Sequence, residues 1–198
     1  MRARLFSISL ALLVSSCGLQ AIPRAKNEVD ATLAETTNQY KRRADLVPNL
    51  VATVQGYASH EKETLEGVVA ARAKATSVSI DPTNMSAEKL AEFQKAQGAL
   101  SQALGRLLMI SENYPQLKAD RNFSELQAQL EGTENRITVA RNRHIEAIKQ
   151  FNNLVTVPFT SWTNSILYNY QPMPQWSVEE SELKTIQQAP QVDFGSKK

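Results

Sequence analysis

A single cysteine, Cys17, and two histidines, His60 and His144, are all that 198 residues supply of the softer chemistry-bearing side chains. One cysteine forbids an intramolecular disulfide and leaves no thiol anywhere beyond residue 17. Di-metal helical bundles need inward Glu-x-x-His pairs, but Tyr57 precedes His60 by three and Arg141 precedes His144 by three. The zinc-protease pattern fails as well, because His60-Glu61 meets Thr64 where a second histidine is required. No Gly-rich phosphate loop and no Gly-x-Ser-x-Gly elbow occurs. Carboxylate pairs such as Glu61/Glu63 and Glu131/Glu134 read as solvated helix faces or ion pairs. These absences predict a chain that is not an enzyme, with no metal, no cofactor and no catalytic residue. Long apolar runs are missing too. The best stretch, Leu5–Val14, is ten residues and includes Ser7 and Ser9, short of the ~20 that cross a bilayer.

Charge of one sign is also absent. Lys and Arg total 22 against 20 Asp and Glu, and the excess is Arg2 and Arg4. Without residues 1–16 the chain is balanced, which argues against nucleic acid, whose phosphates demand a standing basic surplus. Met1–Arg4, the apolar run and Ser15–Ser16 instead have the order of a signal peptide over 1–16. Val14-Ser15-Ser16-Cys17 resembles the bacterial lipobox, an aliphatic residue and two small ones before the cysteine that becomes the mature terminus. That resemblance implies a diacylglycerol on the Cys17 sulfur and a further acyl chain on its amine, worth ~0.8 kcal/mol per buried CH₂. An ordinary secretory cut near Cys17 or a short uncleaved anchor are the alternatives. Gly18, not Asp, follows the cysteine, which in a two-membrane cell permits delivery to the periplasmic face of the outer membrane.

Scarce Gly and Pro, with abundant Ala, Leu, Gln and Glu, favour helix. The expected class is all-α, an up-and-down antiparallel bundle of four helices over 27–157, or three long ones, behind a lipidated tether of 17–26. Phe123, Leu126, Leu130, Thr133, Ile137, Ala140, His144, Ala147, Phe151 and Leu154 step by threes and fours, a heptad seam. Asn122 with Glu125 has capping-box spacing and predicts that helix from 122 to about 156. Leu90, Phe93, Gln97, Leu100, Leu104 and Leu107 mark a helix that stops at Asn113, before Pro115. Val47, Leu50, Val54, Tyr57, Leu65 and Val68 mark another, to about Thr76, with a loop at Ser79–Ser86. Val29, Leu33 and Tyr40 anchor the faint first segment, Asn27–Arg43. Pro48 begins a new helix or kinks a long one.

Five glycines, Gly56, Gly67, Gly98, Gly105 and Gly132, fall inside these helices and read as sites of close packing within the bundle or of contact with a partner's backbone. His144, on the apolar seam, reads as a packed histidine. Lys41-Arg42-Arg43 and Arg136, Arg141 and Arg143 read as interhelical ion-pair partners, with attraction to anionic lipid as the alternative. Over 158–198 the helical periodicity disappears. Trp162, Tyr168, Tyr170 and Trp176 mingle with Pro172 and Pro174, and Ser177 with Glu180 could cap one short helix. These aromatics either lie back on the bundle or form a partner or membrane interface, since Trp and Tyr suit both.

The stretches Lys41–Val51 (KRRADLVPNLV), Gly56-Tyr57-Ala58, His60–Leu65 (HEKETL), Leu100–Leu107 (LSQALGRL), Glu112–Ala119 (ENYPQLKA) and Leu130–Arg143 (LEGTENRITVARNR) resemble the LemA family. The likeness runs over about 25–160 and the closing Ala189–Phe194 (APQVDF). It implies a mostly antiparallel helical bundle outside the cytoplasmic membrane, with no established catalytic activity or cofactor. Many members carry a transmembrane helix where this chain has the lipobox, and a Gly-Phe-rich segment where it has Tyr168–Trp176 (YNYQPMPQW). An aromatic is common in the family at the place of His144. The functional expectation is a non-catalytic, lipid-anchored envelope module that presents a surface to membrane-proximal proteins. A carrier of lipid or a small molecule between the helices is the alternative.

Overall fold

The computed structural model describes residues 20–80 and 85–176, and every described element is helical or irregular. The signal peptide, Cys17, part of the Ser79–Ser86 loop and the short helix expected at Ser177 lie outside the described residues. Helix α1 spans Ala21–Tyr57, α2 Lys62–Ser77, α3 Ala87–Ile110, α4 the single turn Pro115–Lys118, α5 Arg121–Thr156 and α6 the turn Thr160–Thr163. At 1.5 Å per residue, α1 and α5 are each about 55 Å long.

The α1 helix buries Ile22 and then Val29, Leu33, Thr36, Tyr40, Arg43, Val47, Leu50 and Val54, a seam that from Val29 on has three- and four-residue steps and passes through Pro48 without a break. Proline removes one helical donor and orphans the carbonyl four residues back, here that of Ala44. Arg72 of α2 supplies the missing donor, Nε to the Ala44 carbonyl at 2.8 Å. Pro48 therefore lies within one long helix, and the vacated acceptor becomes a docking point for α2. The turn comes later, at 58–61, where Ala58 is fully buried and its N–H closes on the Val54 carbonyl at 2.8 Å. The continuous segment expected from Val47 to Thr76 is thus two helices. Glu61 sits where the next apolar position of that run would fall, and the periodicity has nothing to bury there.

Two further boundaries move. Helix α1 begins at Ala21, inside the segment read as tether, because Ile22 is fully buried and Pro23 sits in the first turn, where no intrahelical donor is lost. Helix α5 is capped by Asp120, not Asn122: the carboxylate accepts from the Phe123 N–H at 2.8 Å and from the Tyr57 hydroxyl at 2.8 Å. At the other end of α5 the buried register passes from Leu154 to Val155. The α3 helix tightens into a 3₁₀ turn at Ser111–Asn113 and ends there, ahead of Pro115.

Pairs along α1 and α5 run in opposite senses, Thr32 to His144, Arg43 to Glu134 and Tyr57 to Asp120, so the two lie antiparallel along their length. The α2–α3 hairpin covers the Tyr57 half of that pair. Val47, Leu50, Val54, Leu65, Val68, Leu100, Leu104, Leu107, Phe123 and Leu130 form one core there. The other half has a separate core of Ile22, Val29, Ala147, Ile148, Phe151 and Val155, covered by Tyr168, Tyr170, Met173 and Trp176 of the tail. Where the hairpin ends, the tail takes over.

The close-packing reading of the glycines is overturned at four positions. A Cβ placed on Gly56, Gly67, Gly98 or Gly105 meets nothing within 4 Å, so these residues mark no close approach of helices. Between Pro158 and Trp176 the chain also has more regular structure than its lost periodicity implies. Beyond α6, Asn164–Tyr168 form a π turn closed by the Asn169 N–H on the Asn164 carbonyl at 2.6 Å.

Candidate functional site

The polar centre of the bundle is Arg43, which is 1% exposed. Its guanidinium is shared among the helices. One terminal nitrogen donates to Ser101 Oγ at 2.6 Å and Glu134 Oε1 at 2.8 Å. The other donates to the Gln97 carbonyl at 3.1 Å and Gln97 Oε1 at 2.7 Å. Gln97 in turn donates to the Ala75 carbonyl at 3.1 Å. One side chain of α1 thereby ties α3 and α5 directly and α2 at one remove. Nε is the one guanidinium nitrogen left without a partner. Burying a charge is costly unless it is paired and hydrogen-bonded, and this network meets that cost.

Beside it opens a cleft of about 500 Å³ between α1, α3 and α5, lined by Arg43, Gln97, Gly98, Glu134, Arg141 and Trp176, among others. Tyr40 forms one wall. Burial pushes its phenol above the usual range, against the opposing pull of Arg141 and Arg43, and the Arg43 guanidinium lies 5.2 Å from its ring centre. Trp176 closes the end, stacked on Tyr40 at 6.4 Å and edge-on to Phe93 and His144, each at 6.2 Å. A Cβ added at Gly98, on the cleft wall, would meet nothing within 4 Å.

His144 is fully buried below that tryptophan. Thr32 Oγ1, already placed to donate to the Glu28 and Val29 carbonyls, lies 3.0 Å from Nδ1. The hydroxyl therefore accepts, which puts the imidazole proton on Nδ1 and leaves Nε2 as a bare acceptor. Burial lowers the imidazole to about 4, outweighing the Val29 backbone and Asp30, so it is neutral near pH 7. It packs; it does not face solvent.

The tail is held by two asparagines that nothing in the sequence singles out. Asn152 donates to the Met173 carbonyl at 2.9 Å and accepts from the Met173 N–H at 2.8 Å. Asn164 does the same to Tyr170, at 2.8 and 3.0 Å. Each amide imitates a neighbouring strand. Among the basic groups, Arg43 and Arg143 make interhelical pairs, the latter with Glu35 at 3.2 Å. Arg136 bonds within its own helix, to Thr133.

Cys17, the one site residue named from the sequence, lies outside the described residues. The interhelical pairing of Arg43 was expected from the sequence, but its partners Ser101, Gln97 and Glu134 were not, because they come from separate helices. Among the described residues, no group of three or more His, Cys, Asp or Glu could hold a metal, and no helix is long and apolar enough to cross a membrane. A family model described as the LemA family matches residues 32–194. The chain is also similar to "Protein LemA" of Metamycoplasma hominis, 23% identical over 167 residues that cover 82% of this chain and 71% of that protein.

Proposed function

The chain belongs to the LemA family, and from that premise we propose a non-catalytic helical module, held at a membrane by acylated Cys17, that presents its surface to membrane-proximal proteins. The long helices are read as an up-and-down bundle of four, standing on the envelope. In a two-membrane cell its place is the periplasmic face of the outer membrane, from the residue after the cysteine, Gly18.

The start of α1 at Ala21 carries this reading. Three residues lie between Cys17 and Ala21, so the four Cα-to-Cα steps reach about 14 Å at full extension. A lipid on Cys17 thus confines the foot of the bundle to the bilayer, while the Tyr57 end stands about 50 Å away. That geometry suits a spacer or scaffold. The carrier reading has the cleft beside Arg43 to offer. Its polar rim and its already matched guanidinium suit a lipid poorly.

Two experiments test the proposal. Cys17→Ser is expected to free the protein from membranes or leave it unprocessed, and unchanged attachment with normal processing refutes the anchor. Photo-crosslinkers at the exposed Val69 and Met109, in intact cells, are expected to capture the same protein reproducibly. Recovery of lipid or a small molecule alone counts against the scaffold.

A further inference from the structure

Nine large apolar residues are exposed among the described ones, and five of them lie within one short stretch. Val157 is 50% exposed, Phe159 79%, Trp162 68%, Ile166 80% and Leu167 55%. The other four, Tyr57, Val69, Met109 and Val139, are scattered over α1, α2, α3 and α5. Single exposed apolar residues need no explanation, but a contiguous set does.

The set is built, not frayed. Phe159 has φ 74° and ψ −54°, the strained positive-φ conformation of a γ-turn, held because the Ser161 N–H and the Thr160 hydroxyl both close on the Val157 carbonyl. Its ring meets that of Trp162 at 6.0 Å. Ile166 follows one turn later on the same face, where α6 runs into the π turn. The buried Asn164 clasps this platform to Tyr170 from behind.

Its place is equally specific. Val155 and Phe151 share a core with Ile22 at the start of α1, so the ledge that follows them lies at the foot where Cys17 is tethered. Charge fits as well. No charged residue occurs between Lys149 and Glu179, and none of acidic sign between Cys17 and Glu28, whereas Arg24 does, with Lys26 held to Asp30. Trp, Phe, Ile and Leu without carboxylates, with Arg24 nearby in the first turns of α1, is the chemistry of an element lying in the headgroup boundary of a bilayer.

We propose that Val157, Phe159, Trp162, Ile166 and Leu167 form a ledge that inserts into the lipid interface as a second contact beside the acyl anchor. The proposal rests on the Cys17 reading for its orientation. With two contacts the bundle cannot swing freely about its lipid, and the hairpin end is held away from the surface.

The test uses the full acylated chain in phosphatidylcholine–phosphatidylglycerol vesicles whose acyl chains are brominated. Its two tryptophans differ in setting, since Trp162 is exposed and Trp176 is packed on Tyr40. Trp162 emission is expected to fall by about twofold or more in brominated lipid. Trp162→Phe, a change at an exposed position, should abolish that quenching. Sedimentation with the vesicles reports the anchor separately. A chain that sediments while Trp162 stays open to aqueous acrylamide and unquenched by bromine overturns the ledge and keeps the anchor. Shielding from both quenchers means that protein covers the ledge, and also overturns it. Quenching that persists in Cys17→Ser supports the ledge even where the anchor fails.

Discussion

At the scale of single residues, the consequences of burial divide between a charge that is matched and a base that is kept neutral. Arg43 is enclosed while its partner Glu134 keeps 42% of its side chain exposed. Removing the carboxylate leaves the guanidinium buried with neutral acceptors, so Glu134→Leu should cost about 2–3 kcal/mol in urea unfolding. The same change at Glu125, whose pairing with Arg121 is exposed on both sides, should cost under about 1 kcal/mol. Equal costs would show that the network is ordinary surface pairing. His144 gives a pH signature of definite sign. Its imidazole titrates near 6.5 when unfolded and near 4 when folded. Above pH 6.5 neither state binds the proton and stability is at its full value. Between 6.5 and 4 only the unfolded state binds it, so stability falls with pH, by about 3 kcal/mol in total. His144→Phe should flatten that slope while keeping the edge-on contact with Trp176, and an unchanged slope would place the pH sensitivity elsewhere.

At the scale of elements, Pro48 and Arg72 act as one unit. Arg72→Met strands the Ala44 carbonyl and should cost about 2 kcal/mol. In a Pro48→Ala background the helix supplies its own donor, and the same substitution should cost under about 1 kcal/mol. A double-mutant cycle with no coupling would refute the exchange of acceptors. Helix glycines offer the opposite sign: Gly105→Ala meets no atom and should raise stability by about 1 kcal/mol, read from the urea midpoint. How far the sequence revealed these elements follows from the same physics. Seams of one helix were legible, since periodicity records which face is buried, and His144 could be placed on its seam for that reason. Pro48 could be read either way, because the donor that rescues its orphaned carbonyl comes from α2. The turn at 58–61 carries no Pro or Gly of its own, and Gly56 was read as packing. Asp120 as cap, the Arg43 network and the tail clasps all depend on partners distant in sequence, so local pattern could not supply them.

At the scale of the whole molecule, two end cores lie in series on one antiparallel pair with a small cluster of Tyr40, Phe93 and Ile137 between them, and only one end core is covered by long helices. The hairpin core is enclosed by α2 and α3. The foot core depends on an extended tail fixed by the Asn152 and Asn164 amides, with Tyr168, Tyr170 and Met173 laid over Phe151 and its neighbours. Such an arrangement should open in parts, because stability follows local coverage. Asn152→Ala with Asn164→Ala removes four hydrogen bonds to the tail backbone and leaves every contact of the hairpin core intact. Amide exchange should then accelerate at the start of α1 and the end of α5, roughly residues 22–36 and 144–155, by about tenfold or more. Protection at 47–54 and 100–107 should change little. A uniform loss along both helices would mean that the two cores unfold as one. The selective outcome has a further consequence at the foot. Asn164 also holds the turn that presents Trp162 and Ile166, so loosening the tail should cost the ledge its lipid contact, with bromine quenching of Trp162 reduced, while the hairpin core remains folded.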